Sequence, residues 1–205
     1  MSLLLGYQQC NQGFIATDLL NSANGTEMEK LMPTKDPSFF VSLTGRVNIL
    51  WLQEMGNHIS KLDYLNGRVG EYITVDTKKR HANIELRRRE QVTTVFLFEY
   101  PLGIMTVDAT DSQIYFGELN PDGPKPLTPL GIGNMVSLGC CDIEHVVNLF
   151  KSELDKKQNF SPQIILSSME ETVLSIGRQI PDSVRGAATY SITAGNIERR
   201  SYHPI

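Results

Sequence analysis

The chain has 205 residues, 40% of them hydrophobic and 20% charged, with a formal net charge of −4. These are the proportions of an ordinary globular protein, and a chain of this length buries about 70% of its unfolded surface in one large domain or two small ones. The acidic balance argues against a nucleic-acid surface, no apolar stretch is long enough for a membrane span, and the LLL run near the start is too short for a secretory core.

In chain order, Leu3, Leu4 and Leu5 form a continuous apolar run closed by Gly6 and by polar QQCNQG; a second run, FIAT, ends at Asp18. Two short apolar runs across a Gly-containing polar connection predict a β-hairpin whose first strand starts at the second or third residue, with no leader ahead of it. Phe39 to Leu43 is a predicted strand stopped by Gly45. Val47, Leu50, Trp51, Met55, Ile59 and Leu62 then recur at three- and four-residue spacing, which predicts an amphipathic helix with Trp51 on its core face and Gly67 as its stop. The segment from Ile73 to Tyr100 is ambiguous: its first half is polar and helix-compatible, whereas VTTVFLFEY has the composition of a strand.

After Pro101, LGIMTVD and QIYFGEL read as strands, the second ending in an N-P-D-G turn. From Met135, apolar residues continue at helical spacing through VVNLFKSEL, and Ser161-Pro162 supplies a cap and a first-turn proline for a helix carrying Ile165, Met169, Val173 and Ile176. The tail forms a hairpin around Ala194-Gly195-Asn196. Segregated blocks of strands and helices indicate an α+β layered fold in a single domain, 1–205, rather than alternating βαβ units.

Several short segments, in this order, are similar to proteasome β-type subunits of the N-terminal-nucleophile (Ntn) hydrolase superfamily. LLLGY followed by GFIATD resembles the family's first two strands, and EKLMP its lysine-bearing lead into the third. FFVSLTG resembles the strand before the oxyanion glycine, and DYLNGR the link between the first helices. LNPDG with PLGIG resembles the D-P-x-G turn and G-x-G loop, and PDSVRG with YSITAGNI the D-x-x-S-G element and final hairpin. The resemblance implies a four-layer αββα sandwich, two antiparallel sheets between helix pairs. It also turns the ambiguous segment into a long second helix reaching about Phe98, tertiary context overriding local propensity.

Family chemistry uses a hydroxyl on the first residue, with that residue's own α-amine as base, a lysine that lowers the nucleophile's pKa, an aspartate that holds the lysine, and a glycine N–H for the oxyanion. The resemblance aligns Ser2 with the nucleophile, Asp18 with the aspartate, Lys30 with the lysine across a shortened connection, Gly45 with the oxyanion glycine and Asp182 with the late aspartate. It aligns Ile132 and Arg185 with two serines that orient the amine, and neither can do so. A retained Met1 would convert the Ser2 amine into an amide. The implied role is therefore non-catalytic, with Ser2, Asp18, Lys30, Gly45 and Asp182 as vestigial positions, no cofactor and no metal.

Such a subunit joins other α and β subunits in stacked seven-membered rings, in cytoplasm and nucleus, and contacts neither membrane nor nucleic acid. The start most resembles the fourth ring position, with the third as runner-up. The rivals are an active Ntn hydrolase using Ser2, as in a bacterial homo-oligomer, and a scaffold unrelated to proteasomes. The remaining candidates have plainer readings. His58, His81, His145 and His203 are too scattered for a metal or a triad, and the basic cluster from Lys78 to Arg89 reads as a solvated or subunit-facing helix surface. Cys10, Cys140 and Cys141, odd in number with two adjacent, fit reduced thiols without metal spacing and are expected to be small buried residues.

Overall fold

The computed structural model describes residues 3–21, 26–47, 57–72, 98–99, 102–119, 123–139, 141–157 and 160–202. Two five-stranded antiparallel sheets dominate. In spatial order the first runs through Met135–Gly139 (β12), Leu3–Gln9 (β1), Gln12–Thr17 (β2), Ala187–Thr193 (β13) and Asn196–Tyr202 (β14), and the second through Thr128–Pro129 (β11), Gln113–Leu119 (β10), Leu102–Asp108 (β9), Phe39–Leu43 (β6) and Met32–Pro33 (β5).

The apolar start is the centre of the first sheet. Strands β1 (Leu3–Gln9) and β2 (Gln12–Thr17) form the predicted hairpin, with Leu4 opposite Thr17 and Gln9 opposite Gln12. Leu3, Leu4 and Leu5 are fully buried, worth about 1.5–3 kcal/mol each relative to exposure. They are all apolar because both faces of this sheet are covered. Leu3 and Leu5 pack with Phe14 and Ala16 against α2 (Ile143–Lys157) and α3 (Pro162–Gln179), through Val146, Phe150, Ile165, Met169 and Val173. Leu4 and Ile15 face the other way, onto Met105, Val107 and Ile114 of the second sheet. A run of three leucines is thus what a strand buried on both faces requires.

The second sheet is built from β5 (Met32–Pro33), β6 (Phe39–Leu43), β9 (Leu102–Asp108), β10 (Gln113–Leu119) and β11 (Thr128–Pro129). Its outer face buries Phe39, Val41, Leu102 and Ile104 under Ile59, the short α1 (Lys61–Leu65), and Val69 of a helical stretch at 69–72. The hairpin of β13 (Ala187–Thr193) and β14 (Asn196–Tyr202) turns at Ala194-Gly195 and completes the first sheet beyond β2. Two short ladders, β3 (Leu20–Asn21) with β4 (Thr26–Glu27) and β7 (Arg46–Val47) with β8 (Phe98–Glu99), stand apart from the main sheets. The architecture is α+β, with two antiparallel sheets and helices packed on them.

Three sequence expectations are corrected. Met135 does not open a helix: Met135–Gly139 is β12, antiparallel to β1, and α2 starts only at Ile143. Its five residues are too few to distinguish a strand from a helix by spacing, and pairing with β1 decides. The helix expected from Val47 to Leu62 begins differently, because Val47 pairs with Phe98 in a strand, and Leu62 is 67% exposed although Ile59 is buried. Phe98 itself is in β8 with Glu99, so the helix expected to reach about Phe98 does not include it; residues 73–97 lie outside the described residues. Trp51, Met55, the basic cluster from Lys78 to Arg89, His81 and His203 lie outside the described residues. Within them, His58 is exposed, and exposed His145 hydrogen-bonds Gln179.

Candidate functional site at the amino end of the first strand

Strand β2 ends at Thr17, and the next residue turns its side chain back toward β1. Asp18 Oδ1 accepts the backbone N–H of Leu3 at 2.7 Å, and the Asp18 N–H returns a bond to the Leu3 carbonyl at 3.2 Å. Asp18 Oδ2 accepts the Lys30 ammonium at 2.6 Å and the Leu20 N–H at 3.2 Å. Carboxylate and ammonium are both buried, at 0% and 3% side-chain exposure. Burial pushes the Asp18 carboxyl pKa upward, while the Lys30 charge and the two backbone N–H donors pull it back. Desolvating both ions is expensive, and only direct pairing with full hydrogen bonding offsets it.

The segment before Lys30 is fixed from the same side. Glu29 accepts the Tyr190 hydroxyl on Oε1 and the Arg199 guanidinium on Oε2, the latter at 2.8 Å. Burial and the Glu29 carboxylate both push the Tyr190 phenol pKa far upward, so it stays a neutral donor at all ordinary pH. The shortened connection between Asp18 and Lys30 therefore still delivers the lysine to the aspartate.

The other candidates are placed unequally. Gly45 has φ of 97°, in the left-handed region, directly after Thr44. The Thr44 N–H bonds the Gly103 carbonyl at 2.8 Å, and the Gly103 N–H bonds Thr44 Oγ1 at 3.0 Å. A Cβ at Gly103 would lie 2.6 Å from Thr44 Oγ1 and 3.3 Å from Leu138 Cβ, so this position must be glycine for the sheets to meet. Leu138 pairs with Leu4, which puts the Thr44–Gly45 turn at the same end of the molecule as Leu3. Asp182 is exposed in the turn between α3 and β13. Arg185 is also exposed, but its carbonyl accepts the Leu19 N–H at 3.0 Å, one residue from Asp18. Ser2 lies outside the described residues, one peptide bond from Leu3.

Ile132 requires a correction. The Gly131–Gly133 loop belongs to the opposite end of β1: the Gly133 N–H bonds the Gln8 carbonyl at 2.8 Å, and the Gln8 N–H bonds the Asn134 carbonyl at 3.2 Å. The residue paired with Leu3 is Gly139. The residue beside the amino end is therefore Gly139, the last of β12, and not Ile132. The signal for Gly139 was a glycine closing a short apolar run just ahead of a helix start. Cys141 is half-buried against the helix-side core; Cys10, expected to be buried, is exposed at the β1–β2 turn, and Cys140 lies outside the described residues.

Among the described residues no cluster of His, Cys, Asp and Glu is arranged to hold a metal, and no helix is long and apolar enough to cross a membrane. What the arrangement can do chemically is hold a buried lysine on the carboxylate that also bonds the Leu3 amide, or simply clamp the start of β1 to the end of β2. No protein-family model matches the chain, and no curated protein matches it.

Proposed function

We propose that this chain is a non-catalytic β-type subunit of a proteasome core particle, most like the fourth ring position, with the third as runner-up. The observation that carries the reading is the buried Lys30–Asp18 pair bonded to the Leu3 amide, since it is the arrangement that the sequence resemblance calls for at this point of the chain. The layering supports it. Three separate apolar clusters, one between the helices and the first sheet, one between the sheets and one under α1, are what a four-layer αββα sandwich needs, because four layers have three interfaces.

The non-catalytic part rests on chemistry at the same place. Arg185, whose carbonyl accepts the Leu19 N–H beside Asp18, stands where the resemblance puts a serine that would orient a free amine. In this reading the chain supplies wall to a degradation chamber, holds its ring neighbours in position, and works with other α and β subunits in cytoplasm and nucleus.

Native mass spectrometry of the purified assembly tests the proposal. A stacked particle with seven different β-type chains per ring supports it. A homo-oligomer or a stable monomer overturns it. A second reading, an active Ntn hydrolase using Ser2, is favoured by the same Lys30–Asp18 geometry, and a free Ser2 α-amine detected by amino-terminal sequencing is its signature.

A further inference from the structure

Two ion pairs sit on consecutive residues of one short connector. Between β4, which ends at Glu27, and β5, which opens at Met32, residues 28–31 lie outside any strand or helix. Three consecutive side chains there are taken by three parts of the fold. Glu29 goes to the last hairpin, where Tyr190 of β13 and Arg199 of β14 donate to its two oxygens. Lys30 goes to Asp18, just past the end of β2, and Leu31 goes to the core between the sheets. Tyr190 and Arg199 are direct partners in the β13–β14 register, so both members of one cross-strand pair grip a single carboxylate.

The two ion pairs differ in their access to solvent. Lys30 and Asp18 are buried, whereas Glu29 and Arg199 are 38% and 45% exposed. Salt therefore weakens the outer pair and leaves the inner one nearly unscreened. For the Lys30 ammonium to leave Asp18 for solvent, the connector has to move, and Glu29 holds the connector. We propose that the exposed Glu29–Arg199 pair is a salt-sensitive latch on the buried Lys30–Asp18 pair, with Glu29 as its positioning residue. Closed, it keeps the ammonium on Asp18 and, through Asp18, the Leu3 amide in place. Loosened, it lets the lysine open to solvent. The latch does not depend on the ring assignment, because a clamp and a catalyst at the amino end both need Lys30 on Asp18.

The test is acetylation of the full chain, in whatever assembly it purifies as, with an N-hydroxysuccinimide ester read by peptide mass spectrometry. Exposed Lys125 serves as the internal reference. Raising salt from about 50 mM to about 1 M should speed Lys30 labelling about threefold relative to Lys125. R199Q should label at the faster rate already in low salt and lose the salt dependence. Because Arg199 is partly exposed, that variant should keep the parent melting temperature. E29A, which removes the partner of Tyr190 as well, should speed Lys30 labelling about tenfold. In both variants amide exchange should rise at Leu3 and stay at the parent level at Gln8, the other end of β1. Salt-independent labelling of Lys30 in the parent, an R199Q rate equal to the parent's in low salt, or an equal rise in exchange at Leu3 and Gln8 overturns the proposal.

Discussion

At its Leu3 end, β1 is tied down by a buried ion pair, whereas at its Gln8 end the same strand is tied down by a neutral amide. The Gln8 side chain donates to the Ser112 carbonyl at 2.9 Å and accepts the Ile114 N–H at 3.1 Å, so it stitches the first sheet to the second without placing any charge in the core. Ser112 adopts a φ of 59° to present that carbonyl. At the Leu3 end the work of holding the strand is given to Asp18 and Lys30, although an uncharged side chain can do it, as Gln8 demonstrates. A buried ion pair is a costly way to anchor a strand, and replacing one by apolar residues is often neutral or stabilising. Its presence next to Leu3 fits the proposed function, in which a site where a lysine serves chemistry is kept only as a clamp.

The comparison can be broken by mutation. The largest effect is expected from Lys30→Met, which leaves Asp18 buried without its counter-ion. Denaturant melts should show a loss of about 3–5 kcal/mol, and the double variant with Asp18→Leu should recover part of it. Recovery identifies the penalty as uncompensated charge. A double variant that adds the two losses would instead mean that the residues act by packing alone.

At the other end, Gln8→Leu strands the Ile114 N–H and the Ser112 carbonyl, and the expected loss is about 1–3 kcal/mol. That loss should be the same across neutral and mildly acidic pH, since no ionisable group takes part. A clear pH dependence would contradict the neutral character assigned to this end.

The smallest expected effect is at the surface of α1. Ser60 is its N-cap; its hydroxyl donates to Asp63 Oδ2 and accepts the Asp63 N–H. That bond first, then those from Tyr72 and the charge of Arg68, hold the Asp63 carboxyl below its ordinary value. A depressed folded pKa means stability that is present above the unfolded value and lost as pH falls through the folded one. Asp63→Asn should remove this part of the acid dependence, lowering stability at neutral pH by less than about 1 kcal/mol and leaving it nearly unchanged at acid pH, where Asp63 is already protonated. An unchanged acid limb would show that the pair is fully screened.

The same contrast marks what the sequence could reveal. The leucine run, the hairpin to Asp18, the strand from Phe39 to Leu43 and the helix opening at Pro162 were legible because apolar runs and a first-turn proline are local signals. Lys30 was reachable only by resemblance, since its link to Asp18 crosses twelve residues and is made by folding. The Gln8 stitch was invisible, because it joins residues 106 apart and nothing in QQCNQG announces a buried amide. Ile132 was misplaced for a related reason. Two glycine-containing loops flank β12, and only the pairing of Leu3 with Gly139 decides which of them lies by the amino end. With Ile132 removed from that end, the case for a vestigial Ser2 rests on Arg185.

The central claim, that this amino end is a clamp and not a catalyst, is tested most directly by intact-mass analysis after treating the purified assembly with a peptide epoxyketone. The probe forms its stable ring only with a residue that offers both a hydroxyl and a free α-amine. The account predicts no adduct on this chain while any active neighbours in the same particle are labelled. A mass increase of one probe on this chain, mapped to Ser2 and abolished by Ser2→Ala, would contradict it.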